Sequence, residues 1–257
     1  CFTSEPMINY RSYKLEIVDL EDRKANADHF LYEFIFFLPD RYDLKINEIM
    51  ADPSPRVYLP EDEYIEVFNR SLMPVSMKNW TLQTGEKLWK LPNRVIPASG
   101  FHVFTCENGL SSLDDRDMIT QLFTSIYTIT NSGQEIILRD RSNEIIDAVC
   151  FNSSWYKDNM KEEGGWSLEL IDPENVCAGS ENWKSSVSRE GGTPGYKNSV
   201  NGYLEDAEAP YLQGVIFGNN QSGKLIFNET IIPEEVTDIH LFEFLELKEL
   251  RFYQLKL

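Results

Sequence analysis

The stretch from Gly164 to Val200, GGWSLELIDPENVCAGSENWKSSVSREGGTPGYKNSV, decides the fold. A tight glycine pair precedes an alternating strand in which Trp166, Leu168 and Leu170 share one face, and an Asp-Pro turn follows. Trp183 reads as a buried anchor, and Gly-Gly-Thr-Pro-Gly is a turn that ends the unit. Read with LKINEIMADPSP (Leu44 to Pro55) and EYIEVFNRS (Glu63 to Ser71), the stretch closes a domain that begins near Tyr42. None of this punctuation is catalytic.

Working outward, Tyr10 to Leu38 gives two apolar, aromatic-rich strands around the polar turn EDRKANAD, and Pro39-Asp40 ends them. Two strands are marginal without a covering layer. Leu44 to Met50 begins the next unit as a strand. Tyr64 to Phe68 follows, with Ile65 and Phe68 off register, which predicts a half-buried strand. Short strands follow at Trp80 to Gln83, Lys87 to Lys90, Phe101 to Cys106, Glu135 to Arg139 and Glu144 to Phe151, with Gly, Pro, Asn and Asp turns between them. One helix is expected between Ser111 and Ile129: Ser112 can cap it, Asp114, Asp115 and Asp117 suit a first turn, and Met118, Leu122, Phe123 and Ile126 recur at helical spacing. Many short strands without helix-strand alternation indicate an all-β sandwich and disfavour an α/β enzyme.

The chain has 257 residues, with 42 acidic against 24 basic and a formal charge of -18. That charge repels phosphate backbones and anionic headgroups, which excludes nucleic acid as a partner class. No apolar run reaches the roughly 18 residues that a membrane-spanning helix needs. Cys1, Cys106, Cys150 and Cys177 lack metal-ligand spacing, so zinc is not indicated. A Cys150–Cys177 disulfide and unpaired cysteines packed as small apolar residues both stay open. Cys1 fits the lipid-carrying first residue of a processed bacterial lipoprotein, and equally an arbitrary start of the chain.

For chemistry, Glu48, Asp52, Glu63 and Glu66 gather hard oxygen ligands around a proline-rich loop, which makes Ca2+ the one metal to test; solvation and backbone hydrogen bonds are the plainer account. Carboxylate pairs for glycoside hydrolysis carry no signal in so acidic a chain. His29, His102 and His240 read as structural, because no GxSxG or activated cysteine accompanies them. Among five tryptophans, Trp155 with Tyr156 in the polar loop NSSWYKDNMKEE is the pair least expected to be buried. With Tyr58 in the Pro53 to Tyr58 loop, these are the expected ligand-facing residues.

The phrases INEI (Ile46 to Ile49), EYIEVFN (Glu63 to Asn69), IPASGFHVF (Ile96 to Phe104), TNSGQEIILRD (Thr130 to Asp140), GGWSLELID (Gly164 to Asp172) and GGTPGYKNSV (Gly191 to Val200), in this order, resemble the lamin tail domain. The form is similar to the bacterial one in surface and secreted proteins of Bacteroidetes. The resemblance implies an immunoglobulin-like β-sandwich over 42–201, used as a non-enzymatic interaction or adhesion module outside the cytoplasm, on the cell surface or secreted; a carbohydrate-binding accessory module is the alternative. Protein or surface glycan are the partners it implies. No coiled-coil heptads precede the domain, so filament formation does not carry over. The flanks, 1–39 and 203–257, resemble the last and first strands of a bacterial Ig-like repeat. They are expected to form one discontinuous β domain, or halves of two repeats.

Overall fold

A computed structural model describes residues 5–24, 26–106, 118–125, 127–205, 209–217 and 223–227. Among these residues there is no α-helix, and the fold is an immunoglobulin-like β-sandwich. No helix among them is long and apolar enough to cross a membrane.

The hairpin of β1 (Arg11–Glu21) and β2 (Ala27–Phe36) comes first, and among the described residues these strands pair only with each other. The sandwich follows: β3 (Leu44–Met50), β4 (Tyr64–Asn69), β5 (Val75–Ser76), β6 (Thr81–Thr84), β7 (Lys87–Lys90), β8 (Val95–Ile96), β9 (Phe101–Thr105), β10 (Ile119–Gln121), β11 (Gly133–Arg139), β12 (Ile145–Asn152), β13 (Leu168–Leu170) and β14 (Trp183–Ser185). One sheet has six strands in the order β10-β9-β4-β3-β13-β14, the other four in the order β12-β11-β6-β7, and β5 pairs with β8. A separate unit, described by itself, holds the hairpin β15 (Leu212–Phe217) and β16 (Gly223–Phe227).

The core lies between the two sheets. Alternation on each strand supplies it: Leu44, Ile46 and Ile49 from β3, Ile65 and Val67 from β4, Leu82 from β6, Ile136 and Leu138 from β11, Leu168 and Leu170 from β13, with Trp80 and Trp183 filling the ends. A bulge in β3 sets its register. Ile46 pairs with Val67, Glu48 with Glu66, and Ile49 with Ile65, so Asn47 is the extra residue. Ile65, Ile49 and Leu168 then form an apolar rung across three adjacent strands, and the neighbouring rung is Glu66, Glu48 and Glu169.

β12 is tied to β3 along the edge where the two sheets meet. Asp147 accepts from Lys45 Nζ and from the Ile46 amide, both at 2.8 Å, and Tyr42 N–H donates to the Ile146 carbonyl at 2.7 Å. Lys45 and Asp147 are both buried, and burial raises the Asp147 carboxyl above its ordinary range although Lys45 opposes the shift.

Two expectations need correction. The segment expected to be helical is not so from Ile119 onward: Ile119–Gln121 is β10, parallel to Val103–Thr105, and the Leu122 and Phe123 amides both donate to the Thr105 carbonyl. The β-branched Ile119 and Thr120 find ladder partners on β9, and Phe123 enters the core, so packing overrides the helical spacing. Residues 111–117 and Ile126 lie outside the described residues. The strand at Tyr64 is also fully buried where half burial was expected, with Phe68 alone partly exposed, because its outer face is covered by the segment around Gly192.

Candidate functional site

The three glutamates of the polar rung all point at one piece of chain. Glu48 Oε1 accepts from the Thr193 amide at 2.7 Å and from the Tyr64 hydroxyl at 2.6 Å. Glu66 accepts from the Gly195 amide and, at 2.7 Å, from Asn47 Nδ2. Glu169 accepts from the Ser199 hydroxyl at 2.8 Å and the Val200 amide at 3.0 Å. Asn198 adds Nδ2 hydrogen bonds to the carbonyls of Asn47 and Leu170 at 2.9 and 2.8 Å. The segment Gly191 to Val200 is thereby clamped across the outer face of the six-stranded sheet, and all three carboxylates are fully buried beneath it.

Like charges directly opposite one another across a sheet repel, and burial penalises the ionised form. Desolvation and then the Glu169 charge push Glu48 up to about 7. Desolvation, reinforced by Glu48, raises Glu66 well above the usual carboxylate range. The hydrogen bonds pull the other way without cancelling burial, so the protonated forms of Glu48 and Glu66 are favoured beneath the segment.

Glycines fix how closely the loops approach. Gly164 and Gly165 have φ of 117° and 78°, and a Cβ on either would strike the backbone carbonyl of Ser54 or Pro55. Gly165 N–H donates to the Asp52 carbonyl at 2.8 Å, Ser167 N–H to Gly191 at 2.8 Å and Leu59 N–H to Glu190 at 3.1 Å. The loops 52–59, 164–167 and 188–192 are thus joined at one end of the sheet. Outside the clamp lies an open cavity of about 450 Å3, lined by Leu59, Val103, Met118, Ile119, Pro194 and Tyr196 together with the polar Ser188, Glu190 and Thr193. Its floor is a small second core of Met50, Leu59, Tyr64, Val103 and Ile119. Tyr196 and Tyr58 are exposed.

The residues expected to bear ligand fall in different places. Of the four carboxylates around the proline-rich loop, Glu48 and Glu66 belong to the clamp. Glu63 accepts from the Thr128 and Ile129 amides at 2.7 and 2.8 Å and is pushed by burial to about 7. Asp52 accepts from Asn131 Nδ2 at 2.6 Å. Among the described residues, no group of three or more His, Cys, Asp or Glu is placed to hold a metal ion, so the four do not converge on a Ca2+ site. Arg70, which follows β4, reaches Glu174 at 2.8 Å and not Glu48 or Glu66.

Tyr58 is exposed as expected, but Tyr156 is buried. Trp155 is half-buried, its ring centroid 6.2 Å from that of Trp183. The polar residues around Trp155-Tyr156 hide a turn whose aromatics fold back onto the core. His102 is buried beside Thr120 Oγ1 at 2.9 Å, and desolvation lowers it to about 4, which keeps it neutral. His29 pairs with Glu16 at 2.9 Å on the hairpin, and His240 lies outside the described residues, as does Cys1.

Glu169, Thr193 and Tyr196 were missed as a group. Part of the signal was present: YIEVF and SLELI each set a glutamate between core-facing apolar residues, which places both on the opposite face, whereas Glu48 in INEI joins them only through the Asn47 bulge. Tyr196 carries no comparable pattern.

No curated protein matches the chain. Residues 39–153 match the family model described as Lamin Tail Domain, a match that runs from just before β3 through β12 and stops ahead of the strands and segment that complete the six-stranded sheet.

Proposed function

We propose that the sandwich is a non-enzymatic protein-interaction module that engages its partner at the loop end, through the cavity beside Tyr196. The observation that carries this reading is the cavity itself. Leu59, Val103 and Ile119 line it beside the polar Ser188, Glu190 and Thr193, an exposed tyrosine stands at its mouth, and its wall at Gly192, Thr193 and Pro194 is held by the carboxylate clamp. Recognition surfaces concentrate their binding energy in such preorganised pockets, filled by an aromatic or aliphatic anchor. Tyr58 extends the exposed aromatic surface of the same loop group. The buried acids are engaged by the chain's own amides and hydroxyls, and this use of them supports a binding role over a catalytic one. By the resemblance of its motifs to bacterial surface proteins, the same proposal places the module outside the cytoplasm, as an adhesion or interaction part of a surface or secreted protein.

Panning a displayed random-peptide library on the full chain tests this. Enrichment of peptides with one large apolar anchor, lost in Tyr196→Ala and Ile119→Glu variants, is expected. Enrichment that both variants retain contradicts the cavity as the site. A parallel glycan array, with specific binding abolished by Tyr58→Ala, would replace the protein-interaction reading by the carbohydrate one.

A further inference from the structure

The N-terminal hairpin is a two-stranded ribbon with an exposed apolar face. Its register places Tyr13 opposite Phe34, Leu15 opposite Tyr32 and Ile17 opposite Phe30, all on one face. Ring contacts confirm the shared face, with Tyr13–Phe34 centroids at 6.0 Å and Tyr32–Phe34 at 6.1 Å. The other face is mixed, carrying the Lys14–Glu33 pair and the Glu16–His29 pair. The apolar face of such a two-stranded ribbon needs a covering layer, and the aromatic rungs make it the more apolar of the two, although Leu31 and Ile35 are exposed on the mixed face. Tyr32, in the middle rung, is 64% exposed.

We propose that a second copy of this chain supplies that layer, the two hairpins stacking face to face about a two-fold axis that runs across their strands. The apolar face is bounded by one charge at each end: Arg11, opposite Phe36, at the root, and Asp28, opposite Leu20, near the tip. Among the described residues no ion pair engages either one, and Asp28 accepts only the amide of its neighbour His29. A two-fold axis across the strands at the Leu15–Tyr32 rung brings the root of one hairpin to the tip of the other, so Arg11 of each copy comes within reach of Asp28 of its mate. A two-fold axis along the strands would set Arg11 against Arg11. Two-fold interfaces are self-complementary, and a patch with opposite charges at its two ends meets that condition only in the root-to-tip arrangement. That arrangement also carries the two acidic sandwiches to opposite ends of the stack, which limits their mutual repulsion.

The test is the mass of the full-length chain in solution over a dilution series, by sedimentation or light scattering. A concentration-dependent dimer is expected, abolished by Tyr32→Glu. Arg11→Asp alone and Asp28→Arg alone should each raise the dimer dissociation constant by about tenfold or more, because each places like charges in contact. The Arg11→Asp/Asp28→Arg double variant should return close to wild type, which a misfolded hairpin would not do. A chain that is monomeric at every concentration overturns the proposal. A dimer unaffected by all of these variants overturns it equally, since it would use another face.

Discussion

Glu48 in β3 and Thr193 in the closing segment, 145 residues apart, are joined twice: the Thr193 amide donates to Oε1 at 2.7 Å, and the Thr193 hydroxyl lies 3.1 Å from Oε2. The same hydroxyl lies 3.0 Å from Glu169 Oε1. A hydroxyl has one hydrogen to donate. With both carboxylates ionised, one of the two contacts would set oxygen lone pairs against each other, so a carboxyl proton completes the bridge. The sheet register and the raised Glu48 titration point to the same proton.

The sign of the pH dependence follows. Glu48 titrates near 4.5 when unfolded and about 7 when folded, so between those values the folded chain holds more protons than the unfolded one. Stability therefore falls as pH rises through that window, by up to about 1.4 kcal/mol per pH unit for each such group. Glu63 shifts the same way and Glu66 in the same direction, while His102, lowered to about 4, opposes them below its ordinary 6.5. Thermal unfolding followed by circular dichroism should give a melting temperature that drops from pH 5 to pH 8, with a shallower drop in Glu48→Gln. A profile that rises with pH would contradict the buried proton.

Glu48→Gln keeps an acceptor for Tyr64 and the Thr193 amide, and its amide nitrogen supplies the hydrogen the bridge needs. At pH 8 that variant should be at least as stable as wild type in urea unfolding. Glu48→Ala leaves buried donors unmatched and should cost roughly 3 kcal/mol or more. Equal losses in the two variants would show that the carboxylate's charge, and not its hydrogen bonds, holds the segment.

Gly192→Ala probes the same contact from the loop side. A Cβ there would press on the Tyr64 hydroxyl, lie 2.7 Å from Glu48 Oε1 and 3.0 Å from Leu59 Cδ1. Overpacking of this kind costs about 1–3 kcal/mol. A neutral effect in calorimetry would mean that the clamp yields.

At the other edge of β3, Lys45→Met leaves Asp147 buried without its cation. The expected loss is roughly 3–5 kcal/mol, most of it recovered when Asp147→Asn is added, because an unpaired buried charge costs more than none. A double-mutant cycle measures this, and a single-variant loss within error of zero would contradict the structural role of the pair.

Strand-level structure was legible because period-two alternation and turn residues are local signals: YIEVFN and LKINEIM are strands where the pattern puts them, while of GGWSLEL only Leu168–Leu170 is a strand and Trp166 lies ahead of it. Met118, Leu122 and Phe123 misled, since three apolar residues at helical spacing also suit a short parallel strand followed by a turn into the core. Nor does local polarity report burial. Tyr156 sits among Asn, Ser, Lys and Asp, yet its ring is buried. Convergence of Glu48, Glu66 and Glu169 depends on register across three strands and on the Asn47 bulge, which no stretch of sequence reveals alone. Tyr196 and the cavity depend on loops brought together by the Gly164-Gly165 turn.

The domain is not complete at the end of the matched segment: β13, β14 and the clamped segment close it. The direct measurement compares two chains that both start at position 1, one ended after Ser153 and one after Gly202, by amide dispersion in NMR and by cooperative thermal unfolding. The chain ended after Gly202 should fold. The one ended after Ser153 should not, because Glu48 and Glu66 lose Thr193 and Gly195 and the apolar face of β3 loses Leu168. A folded chain ended after Ser153, with a melting temperature equal to that of the longer one, would contradict the account.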